Sequence, residues 1–389
     1  MAGGAGSGRR PWAPVLQPGA GRVAGAYLPS TPATVRWGRI AGPDEPPVLT
    51  VAPGDLVTVD LVSHEGLLGD QGWDPAGWFG AHGVPAGAVL ADAVALAATL
   101  ERPQPGRHGP HLVAGPVAVA GAEPGDVVCV EVVELVRRVP YGVVSNRHGR
   151  GALAGELPRV APDGSVPAVV SRFATVAGGV AWLQGPAVAL PVPLRPMLGL
   201  VAVADAAGER GSVEPGPFGG NLDIRHVGPG CRVHLPVQVP GALVQVGDPH
   251  FAQGDGEVAL TALEGSLRAV LRIGLSARAR APELAGSCTA EPGGAVAAVA
   301  GRGAPLVETP WSWVVPGLHR DLDEAVRDAT RRAVALVVAE SGADEATAYA
   351  WLSAAVDLSV SQVVDGVKGV HAVVPKALLA RTRRRGHAR

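Results

Sequence analysis

Two segments rich in β-branched residues constrain the fold most. APGDLVTVDLV (52–62) and EPGDVVCVEVVEL (123–135) each begin with Pro-Gly-Asp after one residue. Pro followed by Gly suits the two central positions of a type II turn, and the apolar run after it suits a half-buried strand. The shared opening is compatible with an internal duplication and equally with two common ways of entering a strand.

Further turn-bounded strands extend this pattern. CRVHLPVQVPGALVQVGD (231–248) indicates a strand, a Pro-Gly turn and a second strand. EVALTALEGSLRAVLRIGL (257–275) indicates two more strands, joined at Glu264-Gly265. Because 54 Gly and 36 Pro favour many turns over long helices, we predict a mainly β fold with α+β parts, built on a β-sandwich or jelly-roll-like core.

Helical periodicity is concentrated near the C-terminus. VLADAVALAATL (89–100) predicts one early helix. A longer amphipathic helix is predicted to begin at Asp321, with Glu324 completing a capping box and Gly342 ending it. A further helix (344–354) and the alternating segment DLSVSQVVDG (357–366) follow.

These patterns predict one folded unit over residues 26–380. It comprises a β-rich body, about 26–315, and a helix-containing α+β layer, about 316–380. Residues 1–25 are expected to form a disordered or loosely packed tail, and residues 381–389 a basic tail.

Composition excludes several classes of protein. The net charge of −2 gives no global reason to bind nucleic acid or membrane surfaces. No apolar run reaches 18 residues, and Arg9-Arg10 is not followed by the apolar segment of an export signal. The three cysteines, Cys129, Cys231 and Cys288, form no CxxC pair. We therefore expect a cytoplasmic protein without a disulfide framework, in which Cys129 and Cys231 are small buried hydrophobes.

Four polar clusters could carry chemistry: SHEGLLGDQGWDP (63–75), HGPHLVAGP (108–116), FGGNLDIRH (218–226) and GDPHFAQGDGE (247–257). In the last cluster, Asp248 and His250 would point to one face of a strand. Oxygen and imidazole ligands suit a metal site, and Glu257 could be a ligand or a base acting on metal-bound water.

Ordinary structural explanations remain open for single residues. Asp70, Asp74 and Asp255 stand beside glycines and are typical of turns. His64, Glu65 and His111 are different, because each borders an apolar segment and a buried charge is costly unless it is paired or bound to a metal. His64, Glu65 and His111 therefore predict where a functional site would form.

Long stretches of the chain resemble the acetamidase/formamidase family. They are HLVAGPVAVAGAEPGDVVCVEVVEL (111–135), GGNLDI (219–224) and PVQVPGALVQVGDPHFAQGDGEVALTALE (236–264). SHEGLLGDQGWDP, VPYGVVSNRHGRGAL (139–153) and SVSQVVDGVKGVHAVVPK (359–376) resemble a bacterial branch of it. The resemblance implies a homodimeric hydrolase of carbon–nitrogen bonds in short linear amides, with a divalent metal, zinc.

The resemblance also implies site residues. Metal ligands would be His111, Asp223, Asp248 and His250. Glu257 would act as the base, with His111 and Asp255 as further catalytic groups. The substrate would contact Asn221, Gln253, His64 and Glu65.

One departure leaves the substrate open. Family members carry a DGQ-like element near the position of SHEG, which borders the expected pocket. Trp73, Trp78 and Phe79 follow it and could form a roomier apolar wall or simply belong to the core.

The expected reaction releases ammonia and a carboxylate through metal-activated water. A metal-dependent hydrolase of a larger or cyclic amide is one alternative. A non-catalytic binding protein on the same fold, which predicts an incomplete polar cluster, is the other.

Overall fold

A computed structural model describes residues 14–276 and 294–382. Residues 1–13 of the predicted N-terminal tail, residues 383–389 of the basic tail, and Cys288 lie outside the described residues.

Short strands dominate the described chain. They are β1 (Ala26–Leu28), β2 (Val35–Trp37), β3 (Arg39–Ile40), β4 (Leu49–Val51), β5 (Leu56–Leu61), β6 (Leu112–Val119), β7 (Val127–Arg137), β8 (Tyr141–Arg147), β9 (Val169–Ala177), β10 (Val180–Gln184), β11 (Ala189–Pro193), β12 (Met197–Ala202), β13 (Arg210–Gly211), β14 (Gly219–Asn221), β15 (Arg232–Pro236), β16 (Val244–Ala252), β17 (Leu263–Glu264), β18 (Leu267–Ser276), β19 (Leu306–Glu308), β20 (Ser312–His319), β21 (Asp357–Gln362) and β22 (Lys368–Pro375). The α-helices are α1 (Pro75–Ala81), α2 (Ala91–Thr99), α3 (Gly294–Val299), α4 (Leu322–Ser341), α5 (Glu345–Ala355) and α6 (Lys376–Leu379).

The strands form two large sheets and a small one. A nine-stranded sheet has the order β1-β5-β18-β7-β15-β19-β20-β22-β21. An eleven-stranded sheet has the order β11-β10-β9-β8-β17-β16-β12-β14, and β6 joins β2 and β4 to β16. The third sheet pairs β3 with β13. The largest apolar core combines side chains of both large sheets, among them Val130 and Leu271 from the first and Val113, Leu200 and Phe251 from the second. The predicted mainly β fold is confirmed.

The two Pro-Gly-Asp segments lie in one sheet. β5 and β7 pair antiparallel with opposite edges of β18. Their similar sequences therefore occupy similar positions, each as a neighbour of the same central strand.

The segment after the GDPHFAQGDGE stretch differs from the prediction. The prediction of a strand beginning at Glu257 was wrong, because residues 258–261 form turns and bends, and Glu257 (φ 45°) and Leu260 (φ 99°) have left-handed backbone conformations. Only Leu263–Glu264 is strand. β16 continues through Asp248 and His250, in agreement with their expected placement on one face of a strand.

The C-terminal helical layer is confirmed, with an earlier start. The Asp321 side chain accepts a hydrogen bond from the backbone N–H of Glu324 (3.1 Å), and Gly342 (φ 71°) ends α4. A side chain at Gly317 on β20 would collide with the backbone of α4, so glycine permits the close contact of helix and sheet. A second apolar core contains side chains of α3 with those of α4, so this layer includes residues before 316.

The described part of the N-terminal tail is attached to the body. The backbone N–H of Leu16 donates to the Arg138 carbonyl (2.7 Å), and Gln17 Nε2 donates to the Val89 carbonyl (2.9 Å). Arg268 also donates to the Ala20 carbonyl. Residues from 14 onward thus pack on the body, before the predicted boundary at 26.

Cys129 and Cys231 were expected to be small buried hydrophobic residues. Cys231 is buried with a free thiol, as expected. Cys129 on β7 is buried, as expected, but it is disulfide-bonded, which the expectation of a protein without a disulfide framework did not include. Among the described residues, no helix has the length and apolar character needed to cross a bilayer.

Candidate active site

A cleft of about 950 Å³ collects polar side chains from distant parts of the chain. Asn221, Asp248 and Glu264 reach it from β14, β16 and β17 of the eleven-stranded sheet. His64 comes from the loop after β5, and His111 immediately precedes β6. Sheet pairing therefore brings together residues that are up to 200 positions apart in sequence.

His250 lies at the centre of the cluster. Its Nε2 is 2.9 Å from Asp248 Oδ2 and 3.1 Å from Glu264 Oε1. Asp248 precedes it by two positions on β16, and the register of β16 with β17 sets His250 opposite Glu264. On the other side of the ring, Nδ1 is 3.1 Å from Gln253 Oε1. Burial lowers the pKa of His250, but the attraction of Asp248 and Glu264 outweighs it, so the pKa lies well above its usual value.

Two further histidines face the other oxygen of Asp248. His64 Nδ1 is 3.7 Å and His111 Nε2 is 3.6 Å from Asp248 Oδ1. The Nδ1 atom of His111 lies 3.0 Å from the Ser212 carbonyl, which accepts its hydrogen and leaves Nε2 as the basic nitrogen. Burial lowers the pKa of His111 to about 4, so the ring is neutral at neutral pH and can act as a ligand.

Three charged residues of the cluster have left-handed backbone conformations. These are Asp223 (φ 46°), Asp248 (φ 52°) and Glu257 (φ 45°). Residues other than glycine rarely adopt this conformation, and each instance costs about 1–3 kcal/mol. Hydrogen bonds hold Asp223 in place, because its carbonyl accepts from Gln253 Nε2 (2.7 Å). The strained backbone points these side chains into one buried space.

Carboxyl groups at the edge of the cluster have raised pKa values. Burial and then the charge of Asp223 raise the pKa of Asp365 well above its usual value. Burial and then Asp248 raise the pKa of Asp223 to about 7. Asn221 Nδ2 donates to Asp365 Oδ2 (3.1 Å). Burial, reinforced by Asp223, also raises the pKa of Glu257. The buried site therefore favours the protonated forms of these carboxyl groups.

The donor set fits a metal cation. Within the described residues, several buried atoms of the cluster have no hydrogen-bond partner: His64 Nδ1, Asn221 Oδ1, Asp223 Oδ1, Asp248 Oδ1 and Glu264 Oε2. Three groups have ligand atoms within 4.8 Å of one another: His64–His111–Asp248, Asp223–His250–Glu257 and Asp248–His250–Glu264. Unpaired buried carboxylates are costly, and a divalent cation would compensate them.

The structure separates the predicted site residues into two sets. The predicted ligands His111, Asp223, Asp248 and His250 all belong to these groups, and so do Glu257 and His64. Asn221 lines the cleft.

Three other predicted residues lie outside the cleft. Gln253 supports His250 and Asp223 from behind. Glu65 is buried and accepts a hydrogen bond from Arg147 (2.8 Å). Asp255 forms an ion pair with Arg225 (3.1 Å) and belongs to none of the three groups. Direct contact with substrate is therefore not expected of Glu65, Gln253 or Asp255.

Sequence reasoning missed two members of the cluster. Glu264 ends an apolar run just before Gly265, and this isolated charge was the available signal. Asp365 precedes Gly366 and has the appearance of a turn residue, so no local signal distinguishes it.

The fold and the cluster define a β-rich protein with buried groups that could bind a metal at its cleft. Residues 181–380, just over half of the chain, match the model of the acetamidase/formamidase family. The chain belongs to this family.

Individual relatives agree with this assignment. An acetamidase of Mycolicibacterium smegmatis is 30% identical over 199 residues, covering 38% of this chain and 49% of that relative. A formamidase of Methylophilus methylotrophus is 26% identical over 191 residues, covering 38% and 47%. The chain thus spans about half the length of the curated relatives it matches. A crystal structure of an acetamidase from Yersinia enterocolitica is 25% identical, with a TM-score of 0.69 over 93% of this chain and 96% of that one.

Proposed function

We propose that the protein is an amidase that hydrolyses the carbon–nitrogen bond of an amide bound in the cleft, releasing ammonia and a carboxylate. The observation that carries the proposal is the buried carboxylate–imidazole cluster, with its unpartnered ligand atoms, at the cleft of a chain in this family. A non-catalytic relative would be expected to have an incomplete cluster, whereas the groups here are filled.

The residues that would hold a divalent cation are His111, Asp248 and His250, together with Asp223 and Glu264. Zinc is the cation we propose, since imidazole and carboxylate ligands suit it. When bound, it would stabilise negative charge on the amide oxygen and lower the pKa of a water molecule.

Glu257 is the group best placed to move protons. Hydrolysis forms a carbon–oxygen bond from water, breaks the carbon–nitrogen bond, and transfers one proton to the leaving nitrogen. Glu257 lines the cleft, and burial raises its pKa, which makes its carboxylate a stronger base toward water and its carboxyl group the source of the proton for nitrogen.

Asn221 is suited to orient the amide. Its Nδ2 group is held by Asp365, and its buried Oδ1 has no hydrogen-bond partner in the described structure. That oxygen can accept a hydrogen bond from the substrate NH₂ group. His64, which also lines the cleft, would contact either the substrate or the cation.

Replacement of Glu257 tests the proton transfer. Glu257→Gln keeps the size of the side chain, so we expect the metal content to be retained and kcat for ammonia release to fall by about 10²–10⁴-fold. Asp255→Asn is the matched control, because it changes a carboxylate of the same loop outside the cluster. We expect its turnover to stay near that of the wild type.

Two results would count against the proposal. Near-normal hydrolysis by Glu257→Gln with metal retained would remove Glu257 as the base. Wild-type protein that binds metal but releases ammonia from no amide in a panel from formamide to bulkier amides would overturn the amidase assignment and favour a binding protein.

We also propose that residues 26–380 act as one catalytic unit, as a homodimer in the cytoplasm. The catalytic unit and the homodimer follow from the family resemblance. The location follows from the odd number of cysteines and the lack of a CxxC pair, a pattern that does not make a disulfide framework even though Cys129 is disulfide-bonded. Light scattering of the purified protein would test the dimer, and a monomer active at assay concentration would refute it.

A further inference from the structure

We infer that the substrate is an amide with a bulky, uncharged apolar substituent, such as an aromatic ring, and that this substituent packs against the indole of Trp73. The inference rests on the proposed amide hydrolysis and adds the class of substrate.

The size of the cleft is the first observation. Its volume of about 950 Å³ is near the upper end of the roughly 300–1,000 Å³ found for pockets that enclose drug-sized ligands. Formamide and acetamide have three and four non-hydrogen atoms. Either would leave most of this space filled with water, so the walls away from the cluster would contribute nothing to recognition.

Trp73 is the second observation. Its side chain lines the same cleft as the cluster and is 38% exposed. Its φ of 58° is left-handed, which is unfavourable for a bulky aromatic residue. A strained backbone that presents a large apolar side chain to a cleft is typical of a binding surface rather than of a turn.

Neighbouring groups fix the indole in position. Trp37 packs edge-to-face against it with ring centroids 5.6 Å apart, and the Arg102 guanidinium lies 4.4 Å from its ring centroid. A Cβ atom at Gly69 would lie 2.6 Å from the indole, so glycine is needed there for this placement. The ring is therefore held in place before a ligand binds, which lowers the entropic cost of recognition.

The other two aromatic residues near SHEG do not share this role. Phe79 is only 7% exposed, and Trp78 packs against it in the main core with ring centroids 5.0 Å apart. The apolar wall considered from the sequence thus reduces to Trp73.

Charge in the cleft favours an uncharged substituent. Four arginines that line it are paired with carboxylates: Arg107 with Glu209 (2.9 Å), Arg147 with Glu65 (2.8 Å), Arg210 with Asp205 (2.7 Å) and Arg320 with Glu214 (2.6 Å). Arg150 also lines the cleft and has no ion pair among the described residues. It supplies the competing possibility, an anionic substituent, which the experiment includes.

The experiment compares ammonia release from formamide, acetamide, hexanamide, phenylacetamide and succinamate. We expect wild-type kcat/KM for phenylacetamide to exceed that for acetamide by at least about tenfold. Trp73→Ala should lower it by about 10–100-fold for phenylacetamide and by less than about twofold for formamide. Trp73→Phe, which retains a ring, should keep most of the preference. Trp311→Ala is the matched control, because Trp311 is 79% exposed and does not line the cleft.

Competition by phenylacetate against acetate gives a second readout, and thermal unfolding shows whether each variant is folded. The inference is overturned, and the proposed function is kept, if the wild type hydrolyses acetamide as well as or better than phenylacetamide. The same conclusion follows if folded Trp73→Ala loses activity equally toward all amides. It also follows if succinamate is the best substrate and Arg150→Ala removes that preference. Failure to hydrolyse any amide overturns the proposed function and this inference with it.

Discussion

Gly199 offers a sharp test of how the sheet builds the site. It lies on β12, between Leu198 and Leu200, which pair with β16 beside Asp248. A methyl group at Gly199 would collide with Asp248 Oδ2 and would also lie 2.5 Å from Asp223 Oδ1. Gly199→Ala therefore places new volume between the two carboxylates of the cluster without removing any polar group.

The size of the effect follows from these distances. Ordinary contact begins at about 3.4 Å, so the Asp223 oxygen must move by about 0.9 Å and the nearer Asp248 oxygen by more. A displacement of about 1 Å in a catalytic arrangement costs on the order of 10²-fold in rate. Overpacking of a buried site costs about 1–3 kcal/mol of stability. We expect a folded variant with kcat/KM reduced about 100-fold and with weaker metal binding.

Ammonia release, metal affinity by calorimetry and urea denaturation measure the three quantities separately. Gly80→Ala in α1 is the control, because a side chain there meets nothing within 4 Å and should leave activity unchanged. The reasoning is refuted if Gly199→Ala keeps wild-type activity and metal affinity. It also fails if activity is lost only in proportion to the unfolded fraction at the assay temperature.

Two further predictions concern stability. Asp60 is fully buried and accepts a hydrogen bond of 2.6 Å from the Arg268 guanidinium. Asp60→Asn should therefore lower the free energy of unfolding, measured by urea denaturation, by about 3–5 kcal/mol. A change below about 1 kcal/mol would contradict this. Burial raises the pKa of Glu308, but hydrogen bonds from His234 and Lys376 outweigh it and lower the pKa to about 2, below the ordinary 4.5. The stabilising contribution of the Glu308 carboxylate is thus present above pH 4.5 and is lost as the pH falls toward 2. The unfolding midpoint of Glu308→Gln should therefore depend less on pH across this window than that of the wild type. An unchanged pH dependence would argue against the ion pair.

Elements specified by local sequence were predictable. The longest helix needed only a cap at Asp321, an apolar stripe and a terminating glycine at Gly342, all within 22 residues. The strands after the two Pro-Gly-Asp turns were predictable for the same reason. In these segments the turn, the periodicity and the burial favour one structure.

Glu264 shows why part of the site was not predictable. It joins the cluster because it is paired with His250 across two strands. That register depends on the path of residues 253–262, which form turns around Gly256 rather than the expected strand. No periodicity within either strand encodes the register, so the partner of His250 becomes visible only in three dimensions.

The GDPHFAQGDGE stretch shows how the site overrides local preference. Gly247, Gly254 and Gly256 favour a turn, yet β16 runs through Asp248 because the strand is buried along its length and paired with β12. Position 248 has a left-handed backbone conformation although its residue is an aspartate and not a glycine. A glycine there would relieve the strain but could supply neither a ligand nor a charge. The retained strain is therefore best explained by the carboxylate that Asp248 brings between three histidines, which is where sequence rules are expected to fail.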